Sequence, residues 1–424
     1  MSLFEELTWR GFIHQTTHPE LAELLEQESF TLYCGFDPTA DSLHIGHLLA
    51  IVGLARFQRA GHKPIALVGG ATGMIGDPSG KTSERQLLDA ETIERNVAGV
   101  RQQLERFLDF TGPCAAQVVN NHDWLGDLSL IGFLRDVGKH FTVNVMMAKE
   151  SVRARLADRE HGLSYTEFSY QLLQAYDYLH LSDAFGCRLQ VGGSDQWGNI
   201  TAGMDLTRRL RPGVSTFGLT FPLVTKADGT KFGKSEGGNI WLDAARTSPY
   251  AFYQFWVNQA DADVGRYLRC FTFLPREEVE ALERQTQEAP ERREAQRRLA
   301  EEMTRLVHGE EALAKAQRAT QALFGGELDG LDDAMLEEVF AEAPSSAVPR
   351  SALTEGRPLL DVLVEAEVFP SRGEAKRMVK NGGLYLNNRR VDSEGAMLGA
   401  ESLAGERIAV VRKGKKNYHL LRFE

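Results

Sequence analysis

Cysteine is scarce. The 424 residues contain four, Cys34, Cys114, Cys187 and Cys270, with no Cys-x-x-Cys spacing. That argues against a disulfide framework and fits a reducing, cytoplasmic setting. No apolar run approaches the ~20 residues that a membrane-spanning helix needs, so no membrane partner is expected. The opening stretch, MSLFEELTWRGFIHQTT, has neither a basic start nor an apolar core, so a secretory leader is not expected. A surplus of positive charge is also missing. Against 59 Asp and Glu stand 48 Lys and Arg, a net charge of −11. Any contact with nucleic acid must therefore use a local basic patch. Apolar content of 42% and charged content of 25% are ordinary for a globular protein, and the length suggests two or three domains.

The richest stretch begins at Thr31 and reads TLYCGFDPTADSLHIGHL. Thr31 to Cys34 has strand character, Gly35 breaks it, and Asp37-Pro38 makes a turn. Asp41 or Ser42 can cap a helix whose first turn carries His44, Gly46 and His47. Strand, tight turn and helix start together present backbone N–H groups to an anion. His44 and His47, three residues apart, can donate to phosphate oxygens, and Gly46 lets a flat ring such as adenine approach the backbone. Two surface histidines, or half of a zinc site, would read the same way in isolation, although no carboxylate or cysteine stands nearby at ligand spacing. Far downstream comes Thr-Lys-Phe-Gly-Lys-Ser, residues 230–235, within a Gly-rich loop. Lys231 and Lys234 are point charges suited to a polyphosphate. A basic surface hairpin is the plainer alternative.

Between these motifs the chain alternates strands and helices. Leu3 to Phe12 and Leu21 to Leu25 read as amphipathic helices. Ile65 to Val68 is a short continuous apolar run, as expected of a parallel strand buried on both faces. Strand, helix, strand makes a βαβ unit and hence a doubly wound α/β domain. The loop Gly69 to Lys81 is glycine-rich but lacks Walker A spacing, because Gly76 stands four residues before Gly80. Asp77 there can receive an ammonium, and Lys81 and Arg85 a phosphate chain. A helix over 90–108 leads to a strand at Val118-Val119 and then to Asn120-Asn121-His122-Asp123-Trp124. The stretch 128–156 reads as helical. Along Tyr165 to Leu179, Tyr170, Gln174 and Asp177 fall at i, i+4 and i+7 on one helical face. That stripe suits an amphipathic ligand with an amine at one end and a hydroxyl at the other. Leu189 to Val191 is a strand ending in Gly192-Gly193-Ser194-Asp195-Gln196, which reads as a ribose and adenine contact at a strand's carboxyl end. A last catalytic strand is expected over Pro222–Thr225.

Residues 248–340 read as helices, and 341–357, with Pro, Ser and Gly but no periodicity, as a linker. From Pro358 to Glu424 there are 12 Lys and Arg against 9 Asp and Glu, net +3; the rest carries 36 against 50, net −14. Arg372, Lys376 and Lys380 share a helix face, Asn387-Asn388 turns a hairpin, and Arg412 to Lys416 makes a basic turn. Such a surface can track a phosphate backbone.

The pair His-Ile-Gly-His and Lys-Phe-Gly-Lys-Ser, about 190 residues apart, resembles the signature of class I aminoacyl-tRNA synthetases. Tyr33, Asp177 and the C-terminal segment make nearly the whole chain similar to the bacterial tyrosyl-specific branch. The resemblance implies an α/β, doubly wound parallel-sheet (Rossmann-like) catalytic domain over 1–225, with inserted dimerisation helices at about 125–160. It implies next a lysine-motif loop and helical domain over 226–340, the linker at 341–357, and a small α+β S4-like RNA-binding domain over 358–424. It implies L-tyrosine, ATP with Mg²⁺, and tRNA(Tyr) as substrates of a homodimer, with no tightly held cofactor and no protein metal site. Tyr33 and Asp177 match the positions at the substrate phenol. Asp77, Tyr170 and Gln174 match those at the ammonium, and Gln196 lies near the carboxylate. For ATP the resemblance points to Gly35, Asp37, His44, Gly46, His47, Gly192, Asp195, Lys231 and Lys234. Thr39, Lys81 and Arg85 match phosphate contacts. Arg372, Lys376, Arg412, Lys415 and Lys416 are the expected tRNA contacts. Phe232-Gly233 departs from the usual Met-Ser of the late motif. Two alternatives stand beside this reading: a tryptophan-specific synthetase, which shares both motifs, and a non-catalytic RNA-binding scaffold on the same fold.

Overall fold

Short β-branched and apolar runs bounded by glycine and proline build the sheet on which everything else is placed. A computed structural model describes residues 1–79, 88–157, 162–227, 229–230, 232–235 and 238–424. Its contacts divide into two compact units, Met1–Thr247 with Phe255–Val307, and Ser248–Gln254 with His308–Glu424.

The first unit carries a six-stranded sheet. Its strands are β1 (Gln15–Thr16), β2 (Thr31–Phe36), β3 (Lys63–Val68), β4 (Gln117–Asn120), β5 (Cys187–Gly193) and β6 (Phe217–Phe221), in the order β1-β6-β5-β2-β3-β4. All neighbours run parallel except β1, which is antiparallel to β6. Strand order reverses beside β2, where β3 lies on one side and β5 on the other. A ligand crevice is expected outside the carboxyl ends at that reversal. Tyr33 faces Ile65 in register on one side and Gln190 on the other, so the residues that end β2, β3 and β5 come out side by side. The crossover helices α1 (Leu48–Arg59), α2 (Ala90–Leu104), α3 (Tyr165–Phe185) and α4 (Trp197–Leu210) cover the sheet. α3 begins where Ser164 Oγ accepts from Glu167 N and ends at Gly186 in the left-handed region.

Several expectations shift. The last strand is Phe217–Phe221, not Pro222–Thr225: proline lacks the donor a central strand needs, and the alternation FGLTF precedes it. The stretch 128–156 is not one helix. It breaks into Leu130–Asp136, a 3₁₀ turn Gly138–His140, Val143–Ala148 and Glu150–Ala157. β1 went unread because two residues carry no alternation. The first turn of the early motif is a 3₁₀ turn over Ile45–His47, capped by His44 rather than by Asp41 or Ser42.

The second unit holds a five-stranded sheet of β9 (Ser345–Val348), β10 (Leu384–Leu386), β11 (Arg389–Arg390), β12 (Ile408–Lys413) and β13 (Asn417–Phe423), where β7 (Lys234–Ser235) and β8 (Gly238–Asn239) are a small pair in the first unit. The stretch expected as a linker is folded, since β9 pairs parallel to β13 with Leu420 opposite Ser345 and Phe423 opposite Val348. Ser346 Oγ donates to Ala366 O at 2.8 Å. Its partner strand lies some seventy residues downstream, so nothing local signals it. Helical residues beyond His308 also group with this sheet, through a core of Ala319, Ala322, Leu336 and Phe340 against Ile408, Val410 and Leu420.

Candidate active site

At the carboxyl ends of β2, β5 and β6 a cavity of about 570 Å³ opens, a size suited to a small-molecule ligand. Tyr33, Gly35, Asp37, Thr39, His44, Gly46, His47, Asp77, Tyr170, Gln174, Asp177, Gly192, Asp195 and Gln196 all line it. Fourteen expected residues scattered over 164 positions of sequence thus share one space. Lys81, Arg85 and Lys231 lie outside the described residues. Lys234 occupies β7 opposite Asn239 in its backbone, and its side chain is likewise outside the description.

α3 contributes Tyr170, Gln174 and Asp177 to the cavity wall. Asp177 is buried, and its two oxygens each accept a hydrogen bond: Oδ1 from Trp124 Nε1 at 2.8 Å and Oδ2 from Asn121 Nδ2 at 3.0 Å. Burial nevertheless pushes its carboxyl up to about 7, outweighing those two donors, with nearby Asp37 adding to the rise. Tyr33 is 1% exposed, and its Oη makes no hydrogen bond among the described residues. Burial first, then Asp177, holds that phenol far above its usual value, so it remains a neutral O–H. A buried phenol without a partner beside a carboxylate fits a ligand that brings one more hydroxyl.

A polar network extends from Asn121. Asn121 Nδ2 also donates to Thr72 Oγ1 at 3.0 Å, Thr72 Oγ1 donates to Asp37 Oδ1 at 3.1 Å, and Tyr170 Oη donates to Asp37 Oδ2 at 3.0 Å. Asp37, expected at the nucleotide, is thus held within the network that also carries Tyr170. On the other wall Gln196 Nε2 donates to Asp77 Oδ2 at 2.7 Å, Gln174 Nε2 to Gln196 Oε1 at 3.2 Å, and Asn199 Nδ2 to Gln174 Oε1 at 3.0 Å. Gly69 is required here, since a Cβ would fall 2.4 Å from both Asp37 Oδ1 and Thr72 Oγ1. The three aspartates 37, 77 and 177 around one cavity suit a cationic group.

The early motif lines the same cavity with side chains less buried than Tyr33 and Asp177. His44 Nδ1 accepts from Gly46 N at 3.0 Å and His47 Nδ1 from His44 N at 3.1 Å. With each Nδ1 accepting, the neutral rings carry their proton on Nε2 and present it as a donor. The rings lie 4.0 Å apart. Both Nδ1 atoms are thus engaged by main chain, which disfavours the zinc alternative, and no group of three metal-binding side chains occurs among the described residues. A Cβ on Gly46 would sit 2.7 Å from His44 Cε1, so only glycine leaves room for this ring. Burial pushes the Cys34 thiol up to about 12, which keeps it protonated and removes it as a nucleophile.

The late motif is sewn to the early one through main chain. Ile45 N donates to Ile240 O and Leu242 N to Leu43 O, each at 2.9 Å, so His44 and Trp241 form a bridge. Phe232 lines the cavity and anchors the loop among Phe255, Trp256, Tyr267 and Phe271, with Phe271 stacked on it at 5.2 Å. That cluster accounts for a phenylalanine in the motif. Sequence reasoning missed Asn121 and Trp124 as site residues. The signal available was their place just after a strand, where ligands bind in doubly wound sheets.

Fold and site together define a class I aminoacyl-tRNA synthetase. Residues 25–325 match the model of class I tRNA synthetases (W and Y), and residues 336–421 that of the tyrosine–tRNA ligase SYY-like C-terminal domain. The tyrosine–tRNA ligase of Geobacillus stearothermophilus is 56% identical over 425 residues, covering all of both chains. That of Roseiflexus castenholzii is 55% identical over 423 residues, with 99% of each chain covered. Among solved structures, a C-terminally truncated mitochondrial tyrosyl-tRNA synthetase of Aspergillus nidulans is 31% identical, with a TM-score of 0.68, covering 76% of this chain and 94% of its own. The chain belongs to the tyrosine–tRNA ligase family.

Proposed function

We propose the following division of labour within the tyrosine–tRNA ligase reaction. L-Tyrosine enters with its ring in the buried slot, its hydroxyl between Tyr33 and Asp177. Its ammonium lies among Asp77, Tyr170 and Gln174, and Gln196 stands near its carboxylate. The adenosine of ATP rests on Gly35, Gly46 and Gly192, with Asp37 and Asp195 accepting from it. His44, His47 and Thr39 meet the triphosphate, with Lys81, Arg85, Lys231 and Lys234 as its cationic partners. ATP is taken as its magnesium complex.

A carboxylate oxygen of tyrosine attacks the α-phosphorus while the bond to the pyrophosphate oxygen breaks, giving tyrosyl-adenylate and magnesium pyrophosphate. A carboxylate is already a nucleophile at neutral pH, so no side-chain base is needed. Rate comes from placement and from donors aimed at charge developing on the phosphoryl oxygens. A terminal ribose hydroxyl of tRNA(Tyr) then attacks the acyl carbon, and AMP leaves.

The tRNA is held by the second unit. Lys415 and Lys416 are exposed on the turn between β12 and β13. Arg372 and Lys376 instead pair with Asp361 at 3.1 Å and Glu394 at 3.2 Å. Arg412 donates to Asn388 Oδ1 at 3.0 Å and packs over Tyr385 at 3.7 Å, so it props up the fold beneath the turn. A homodimer forms through the apolar face that carries Leu130, Ile131, Val143 and Val145, 57 to 74% exposed in one chain. The enzyme works in the cytoplasm, in keeping with its four free cysteines.

One observation carries this reading: a single cavity is lined both by the unpartnered Tyr33 phenol and by the two histidines of the early motif. The test is ATP–pyrophosphate exchange with each of the twenty amino acids. Exchange driven by tyrosine alone is expected. Exchange driven by tryptophan and not tyrosine rejects it.

A further inference from the structure

His44 stands directly opposite Trp241 in an antiparallel bridge. The bonds that make it, from Ile45 N to Ile240 O and from Leu242 N to Leu43 O, belong to the neighbours on either side. The two residues spend their own N–H groups elsewhere. His44 N donates to His47 Nδ1 at 3.1 Å, and Trp241 N to Thr247 Oγ1 at 3.0 Å. A pair of this kind brings its α-carbons to about 4.5 Å and sets both side chains on one face, closer than the alternate pairs of a ladder. The rings meet accordingly, edge to face, with centroids 5.9 Å apart and planes at 69°.

The indole is itself held. Arg246 lies over it, guanidinium carbon 4.7 Å from the ring centroid, and the same guanidinium pairs with Asp41 Oδ1 at 2.5 Å. Asp41 stands three residues before His44 on a loop braced by α2. A Cβ on Gly99 would fall 2.1 Å from Asp41 O, and Leu43 N donates to Gln103 Oε1 at 2.8 Å. Asp41, Arg246, Trp241 and His44 thus close a circuit of contacts between the two signature segments. The bond from Gly46 N fixes one atom of the imidazole, Nδ1. The direction of the Nε2–H donor depends on the plane of the whole ring, and a rigid aromatic neighbour sets a plane. Trp241 is not among the residues lining the cavity, so its route to the chemistry runs through what it touches. We infer that Trp241 is a positioning residue for His44, its indole setting the imidazole plane so that Nε2–H points at the phosphoryl oxygens as charge builds on them. This rests on the reading that His44 serves the triphosphate. A purely architectural tryptophan would support the loop but would be indifferent to whether the imidazole is present.

The test is a double-mutant cycle in the full-length protein, read by tyrosine-dependent ATP–pyrophosphate exchange. Trp241→Ala is expected to lower kcat about fivefold, the size of one aromatic pair, with the ATP KM within about twofold of the parent and tyrosine affinity unmoved in an equilibrium titration. Trp241→Phe, which restores a ring, should bring kcat back to within about twofold. His44→Ala is expected to lower kcat about 100-fold, as for the loss of one donor to developing charge. Adding Trp241→Ala to His44→Ala should then cost nothing further, because no ring remains to be aimed. The same fivefold loss in both backgrounds overturns the inference, and so does a parent-level kcat in Trp241→Ala. If Trp241→Ala does not melt as a folded protein, Trp241→Leu, which keeps bulk without a ring, takes its place in the cycle with the same outcomes. Parent-level exchange by His44→Ala removes His44 from the triphosphate and the inference with it. A loss in His44→Ala with none in Trp241→Ala leaves that reading standing and overturns the positioning role alone.

Discussion

The indole N–H of Trp124 donates to Asp177 Oδ1 at 2.8 Å, although the two residues stand 53 positions apart. With Asn121 on the other oxygen, the carboxylate is gripped from both sides, and its charge helps raise the Tyr33 phenol. A group held this firmly in a buried slot can tell a hydroxylated ring from a bare one, because a bare ring leaves buried polar atoms unmatched; tyrosyl-specific synthetases are the standing example of that discrimination.

Replacing Asp177 by alanine should therefore damage one substrate and spare the other. A lost buried hydrogen bond to a charged group is worth on the order of 2–3 kcal/mol, so kcat/KM for tyrosine should fall roughly 100-fold. The KM for ATP should stay within about twofold of the parent. Steady-state exchange kinetics with each substrate varied in turn decide this, and an equal loss for both would remove Asp177 from the phenol pocket.

The same carboxyl gives a pH signature. Its folded value of about 7 exceeds that of an unfolded chain, about 3.9, so the fold binds this proton more tightly. Its contribution to stability is present in full below the unfolded value and is lost as pH climbs to about 7, then levels off. Below 7 the protonated group presents a donor where the proposed placement of tyrosine calls for an acceptor. The tyrosine KM should rise as pH falls through 7 while the ATP KM stays flat. Kinetics from pH 5.5 to 8.5 check this, with Asp177→Asn expected to abolish the trend.

His180 lies flat against Trp124, ring centroids 4.3 Å apart and planes within 15°. It is not among the residues lining the cavity, so any effect of it on tyrosine should run through the indole. His180→Ala should raise the tyrosine KM about threefold with kcat unchanged, the ~0.5–1 kcal/mol of one aromatic pair. His180→Phe should restore it. A fall in kcat without change in KM would show that the indole keeps its place unaided.

Gly233 has φ +95°, and a Cβ there would stand 3.2 Å from Ile45 Cγ1. Alanine at that conformation costs on the order of 1–2 kcal/mol. Gly233→Ala should displace the late loop from the histidines, lowering kcat for exchange about tenfold. Tyrosine affinity, followed by equilibrium titration, should not move.

Legibility in the sequence followed the range of the signal. Tyr170, Gln174 and Asp177 were readable because helical spacing alone puts them on one face, and β3 because an uninterrupted apolar run fits a strand buried twice over. Asn121 and Trp124 were not, because nothing between 121 and 177 couples them except the fold. β9 was lost for the same reason: four residues without alternation mean little until β13 is beside them. Phe217–Phe221 was displaced by attention to the proline that ends it. Arg372 and Lys376 looked like a bare basic stripe, and only the folded chain reveals the acids, Asp361 and Glu394, that answer them.

The two main-chain bonds that flank His44, from Ile45 to Ile240 and from Leu242 to Leu43, have a consequence for heredity. They use no side-chain atoms, so drift in the amino acids at those sites is silent to the junction they make. Side-chain changes at 43, 240 and 242 leave the donors and acceptors of that joint in place. What it cannot survive is an imino acid at 45 or 242, or a frame-preserving insertion between 233 and 240.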